Sequence, residues 1–178
     1  MGGNNLTSHS SRQSALSQSV HAHGLRHHHP QLNGMETTLL LVEALWQFER
    51  SADKPPTRIA KARLKGWSRL LERHLGLGSG APLKRQWASF SFPPYWFYDY
   101  LTALDCLRDS AGRPDRAAQQ AIDLVRARRR QDGTWRRGAK HAGKTHFEME
   151  SAGGPSRWNT LRAMRVLDWW AESSAERA

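Results

Sequence analysis

Apolar positions recur along this chain in two alternating styles, each with helical spacing. From Met35 to about Glu49, Leu39, Leu40, Leu41, Val42, Ala44, Leu45, Trp46 and Phe48 cover nearly the whole circumference of a helix. Such a pattern predicts an inner helix, surrounded by others. From Arg58 to about Leu75 the apolar residues narrow to a stripe of Ala60, Leu64, Trp67, Leu71 and Leu75, with Arg58, Lys61, Lys65, Arg69 and Arg73 away from it. That is the period of an outer helix with one wet face. Pro55 and Pro56 break the chain between the two, and Gly76, Gly78 and Gly80 end the second. A third helix, about Phe97 to Leu107, is again apolar over a wide arc. The fourth, about Asp115 to Arg130, has Ala118, Ala121, Ile122 and Val125 on one side and four arginines at its end, where cations suit the negative pole of the backbone dipole. The fifth, about Arg157 to Ala171, has Ser156 placed to cap it and leaves little polar surface. The predicted order is inner, outer, inner, outer, inner.

The three inner helices share one pattern, apolar-x-Ala-apolar-x-x-apolar. It reads Val42 to Phe48, Leu101 to Leu107 and Leu161 to Leu167, with successive starts 59 and 60 residues apart. A fixed period holding two helical segments predicts a helical-hairpin array. Repeats near 34–76, 95–130 and 156–172 then make up a domain spanning 34–174. Between the second and third helices, Phe90 to Asp99 is aromatic and held extended by Pro93 and Pro94, its rings expected against the ends of the inner helices. Asp132-Gly133 makes a turn before Trp135, and residues 136–156 form a polar loop of the length that binding or lid elements have. Residues 1–33, rich in His and Ser, lack apolar periodicity and are expected to form no core. Their run His21, His23, His27, His28, His29 could trap a divalent ion, but no Cys or carboxylate stands at metal-site spacing, which favours an unstructured tract. No metal and no cofactor is expected.

The alternation of buried and amphipathic helices, with Asp132-Gly133-Thr134-Trp135 closing an outer helix and Trp158-Asn159-Thr160-Leu161-Arg162-Ala163 opening an inner one, resembles the squalene cyclase and prenyltransferase superfamily of α/α-toroid repeats. The likeness runs from about Gly34 to Trp170. It implies an all-α fold, a partial α/α toroid of inner and outer helices, because a closed ring needs about six hairpins and this chain has two and a half. In that family the Asp-Gly-x-Trp turn follows a Gln that tethers neighbouring helices; here Arg129 stands in that position. Ser91 to Asp99 and Thr145 to Glu150 look like segments of small bacterial members of the superfamily. The acid motif Asp-x-Asp-Asp of the hopene-forming cyclases is absent, and the prenyltransferase zinc motif fails because Leu104 stands two residues before Cys106. Asp105-Cys106 resembles the acid motif of the oxidosqualene cyclases, although Leu107-Arg108-Asp109 departs from it, and packing is the simpler role for Cys106.

Composition adds a constraint and little specificity. The 178 residues carry 27 Lys and Arg against 16 Asp and Glu, a net charge of +11, without a nucleic-acid recognition motif, so no specific nucleic acid is implied and a solvated basic face is the plainer reading. No stretch approaches a membrane span, and the amino terminus lacks the apolar core of a secretory signal, which makes a cytoplasmic location the expectation. The candidate catalytic residues are Asp99, His146, Glu148 and Glu150. The last three would share a face of an extended stretch and could act as acid and base if they met in a cavity. The plainer alternative pairs Glu148 and Glu150 with Arg136, Arg137 or Arg157 to pin the loop. Asp99 and Asn159 hold equivalent repeat positions, each two residues before the leading Leu, which suggests a shared duty at a helix start. Tyr95, Trp96, Tyr98, Trp158 and Asn159 are the candidate ligand-binding residues for an apolar or isoprenoid-like molecule on the inner face. Open ends of the array would make a homo-oligomer, or a partner completing the toroid, the natural company. The alternative function is a non-catalytic helical-repeat scaffold for protein association.

Overall fold

A computed structural model describes residues 30–175 apart from 79–81, 83, 96, 112, 139–142 and 144–145. The His-rich stretch and Trp96 lie outside the described residues. The fold is mostly helical. Five α-helices follow one another: α1 Pro30–Ser51, α2 Thr57–Leu71, α3 Tyr100–Ala111, α4 Gln119–Ala127 and α5 Arg157–Ala175. They correspond to the five predicted segments, except that α2 stops at Leu71, short of the predicted Leu75, which has a left-handed φ of 54°, and that α4 is shorter because its first turn, Arg116–Ala118, winds as a 3-10 helix opened by the Asp115 carboxylate on the Ala117 amide. None of the described helices is long and apolar enough to cross a membrane.

Helix α3 is the most enclosed. Tyr100, Leu101, Ala103, Leu104 and Leu107 are all buried, as a helix packed against α5, α4 and α2 requires. The flanking helices depart from the sequence reading. Leu40, Leu41 and Phe48 of α1 are exposed, and so are Trp158, Leu161 and Met164 of α5. Leu161 is 48% exposed, whereas its repeat counterparts Val42 and Leu101 are fully buried. A pattern apolar all round predicts burial only if neighbours stand on every side, and α1 and α5 are the first and last helices of the described chain.

Helix α2 leans on α1 at Gly66, where a Cβ would overlap Cγ2 of the buried Val42. Its one buried cation, Arg63, donates Nε to Glu49 of α1 at 2.7 Å and also bonds the Ser110 carbonyl at the end of α3. Trp67 adds an Nε1 bond to Ser110 Oγ at 2.8 Å, so three helices meet at one polar knot inside an apolar seam. We expect Gly66→Val to lower stability by about 1–3 kcal/mol, the usual cost of overpacking, read as a drop in the urea midpoint with an unchanged slope. A midpoint equal to that of the unsubstituted chain would show that α1 and α2 do not touch there.

Beyond α2 the chain turns through Leu75 and Gly76, whose φ values of 54° and 84° lie in the left-handed region. The buried phenols of Tyr98 and Tyr100 donate to the Leu75 and Gly76 carbonyls at 2.7 and 3.1 Å, and Trp87 packs against both rings. This aromatic knot fixes the connection, which includes the short 3-10 helices His74–Gly76 and Arg85–Ala88. The Asp132-Gly133 turn forms as expected: Asp132 Oδ1 accepts from the Thr134 amide and hydroxyl, and Gly133 has φ 80°. Trp135 then folds back into the core, where its indole donates to the Val125 carbonyl of α4 at 2.7 Å and its own amide donates to Thr160 of α5 at 3.0 Å. Arg129 stacks over the Trp135 ring at 5.7 Å and reaches the Gly133 carbonyl, so the turn is held by a cation. Strands β1 Trp135–Arg136 and β2 Pro155–Ser156 pair antiparallel, closing the polar loop at its base.

Candidate functional site

The sequence candidates do not meet in one place, and the buried polar ones lie near the starts of α3 and α5. Asp99 is 2% exposed, and its two oxygens accept from the Thr102 amide in the first turn of α3 at 2.7 Å and from the Ser91 amide at 3.3 Å. Asn159, wholly buried in the first turn of α5, donates Nδ2 to the Phe90 carbonyl at 2.8 Å and to the Arg136 carbonyl at 3.2 Å. Asp99 and Asn159 thus grip the two ends of one peptide unit, Phe90–Ser91, the carboxylate at its N–H and the amide at its C=O. Arg137 holds the same segment through Nε to the Phe92 carbonyl at 3.1 Å. Burial raises the Asp99 carboxyl above its ordinary pKa, against the lowering charge of Arg162 and the Thr102 and Ser91 bonds. Every oxygen of Asp99 is committed to backbone, which is the structural duty that the repeat position implies.

The loop carboxylates go where the plainer alternative put them. Glu148 meets the guanidinium of buried Arg137 at 3.2 Å. Glu150 is buried, accepts the Arg157 amide at the start of α5 at 2.8 Å, and gives its carbonyl to Arg137. Its second oxygen has no partner among the described residues. His146 is exposed on the loop. Glu148 and Glu150 converge on Arg137; Asp99 and His146 do not join them there. Of the ligand-binding candidates, Tyr98 belongs to the aromatic knot and Tyr95 is exposed, because the predicted extended run is broken by a turn in which Tyr95 has φ 49° and the Phe97 amide donates to the Pro94 carbonyl. Among the described candidates, Trp158 lines a cleft.

That cleft, of about 450 Å³, opens between α1, α3 and α5. One wall is aromatic: Phe92 and Trp158 stack at 5.1 Å and 9°, with Trp46 and Leu161 also on the lining. The floor is charged. Asp105 of α3, set one turn after Thr102, accepts from Arg162 at 3.3 Å, from Arg165 at 3.0 and 3.2 Å, and from Arg108 at 3.2 Å. Arg162 completes itself on Thr102 and Asn159, which joins the cleft floor to the helix-start cluster. Asp109 accepts the Trp46 indole at 3.0 Å across the gap from α1.

No protein family, curated protein or solved structure matches this chain. The chemistry open to the cleft therefore has to be read from its own groups. Burial pushes the Asp105 carboxyl up, but the Arg165 hydrogen bond and the charges of Arg162, Arg165 and Arg108 outweigh it and hold it below its ordinary value. It stays ionised at neutral pH and cannot serve as a proton donor there. Burial, with help from Glu43, pushes the Cys106 thiol up to about 12, so it is a poor nucleophile and a poor metal ligand at that pH. Among the described residues no group of three His, Cys, Asp or Glu is placed to hold a metal. The arrangement is suited to binding: aromatic faces for an apolar body, and half-exposed Arg165 at the edge for a polar end. Arg162 and Arg165 are the residues that sequence reasoning missed. Nothing local in the sequence marked them, because their partner Asp105 lies about sixty residues away.

Proposed function

We propose that the chain is a repeat protein of the terpenoid cyclase and prenyltransferase type, a partial α/α toroid whose inner face holds an apolar or isoprenoid-like small molecule. The observation that supports this most is the aromatic-walled cleft bounded by the three helices that share the sixty-residue pattern. Ligand cavities of toroids lie on the inner-helix side, and Trp158, a ligand candidate from the sequence, stands in this one. The ionised Asp105 and protonated Cys106 argue for binding in place of acid-initiated chemistry. A second reading, a scaffold for protein association, draws support from the apolar side chains left open on α1 and α5, Leu41 and Phe48 on one and Leu161 and Met164 on the other.

Native mass spectrometry of the full chain with farnesol separates the two. We expect one farnesol per chain, with affinity falling about tenfold in Trp158→Ala, which corresponds to about 1.4 kcal/mol of lost contact. Equal uptake by the variant would remove the cleft from consideration. Assembly into dimers or larger rings with no farnesol bound would favour the scaffold.

A further inference from the structure

Helix α2 carries five cations and no acidic residue between Thr57 and Leu71. Four of them, Arg58, Lys61, Lys65 and Arg69, follow at spacings of three, four and four residues, which places them in one narrow arc of the helix. All four are exposed, and the arc lies opposite Trp67 and Leu70, which are buried. The fifth, Arg63, points into the core and is paired with Glu49. Several other basic side chains meet carboxylates, as Arg126 meets Asp123, Arg130 meets Asp132 and Arg50 meets Asp109. Among the described residues, no carboxylate stands within ion-pair distance of the four on α2. Like charges at i, i+4 destabilise a helix by about 0.2–0.5 kcal/mol each, so the stripe carries a cost with no return inside the molecule.

We propose that this stripe is a docking surface for the phosphate backbone of double-stranded nucleic acid. The rise of about 1.5 Å per residue spreads the four charges over about 16 Å, a straight line of cations for a line of phosphates. The Gly66 contact and the Arg63 and Trp67 bonds hold the helix fixed, so the spacing is set before binding. No aromatic side chain lies on the arc, which removes the stacking that single strands depend on. A bilayer is disfavoured because the apolar side of α2 is sealed in the core and cannot turn into the lipid interface. The contact reads no sequence, in keeping with the lack of a recognition motif.

Fluorescence anisotropy of the full chain with a labelled mixed-sequence DNA duplex of about 20 base pairs tests this. Four phosphate contacts contribute about −3.6 to the slope of log affinity against log salt, a loss of about 100-fold between about 50 and 200 mM. The quadruple variant R58Q/K61Q/K65Q/R69Q should lose that part of the slope and bind about 100-fold more weakly at the lower salt. The variant R113Q/R116Q/R128Q/R136Q, which removes the same charge from other exposed positions, should keep most of the affinity. Circular dichroism checks that both remain folded. Equal losses in the two variants, no binding by the unsubstituted chain, or binding to phosphatidylserine vesicles with none to the duplex would each overturn the proposal.

Discussion

Asp105→Ala is expected to lower the unfolding free energy by about 3–5 kcal/mol, because it strips the shared counter-ion from three arginines, one of them buried. The loss should exceed that of Asp105→Asn, which retains an oxygen acceptor for one guanidinium. The pH dependence follows from the direction of the shift. A carboxyl held below its ordinary value binds fewer protons folded than unfolded near its titration, so its contribution is complete above the ordinary carboxylate pKa. It is lost as the pH falls through the depressed folded value. Urea midpoints taken at steps from about pH 7 to about pH 2 should therefore converge for the unsubstituted chain and Asp105→Ala at the acid end. A constant gap across that range would mean that Asp105 acts through packing alone.

Trp135→Ala should cost about 3–5 kcal/mol, the range for truncating a buried aromatic ring. The indole ties this segment to the end of α4 through its ring N–H on the Val125 carbonyl, whereas the bond to Thr160 at the start of α5 is made by the backbone amide and survives the substitution. Trp135→Phe separates the parts: most of the buried area remains, while the Val125 carbonyl loses the indole and keeps the Arg128 amide at 3.2 Å, for about 0.5–1.5 kcal/mol. Thermal unfolding followed by circular dichroism gives both values. A Trp135→Ala loss within about 1 kcal/mol would show that Arg129 and the β1–β2 pairing hold the turn by themselves.

The helices were legible because their apolar residues recur at the helical period, and Ser156 was legible as a cap because its oxygen does accept the Asn159 amide. The equivalence of Asp99 and Asn159 was readable from position alone, and both prove to hold the same extended segment. Burial was harder to foresee. Val42 and Leu161 have the same local pattern, and only the placement of other helices decides that one is covered and the other open. The cleft floor was illegible for a related reason: Asp105 and Arg165 come together across sixty residues, and a single sequence gives long-range ion pairs no local mark. His146, Glu148 and Glu150 share a face only in an ideal strand. The loop is not one, so Glu150 turns inward while His146 stays in solvent.

The segment Phe90 to Phe92 is clasped at once by the first turns of α3 and α5 and by Arg137. Both rods are thus pinned at their amino ends to a common bar, as two tines are to the root of a fork. With Asp105 paired to Arg162 and Arg165 further along, the two rods are fastened at a second level, so the Phe92–Trp158 side of the cleft keeps its width when a guest enters.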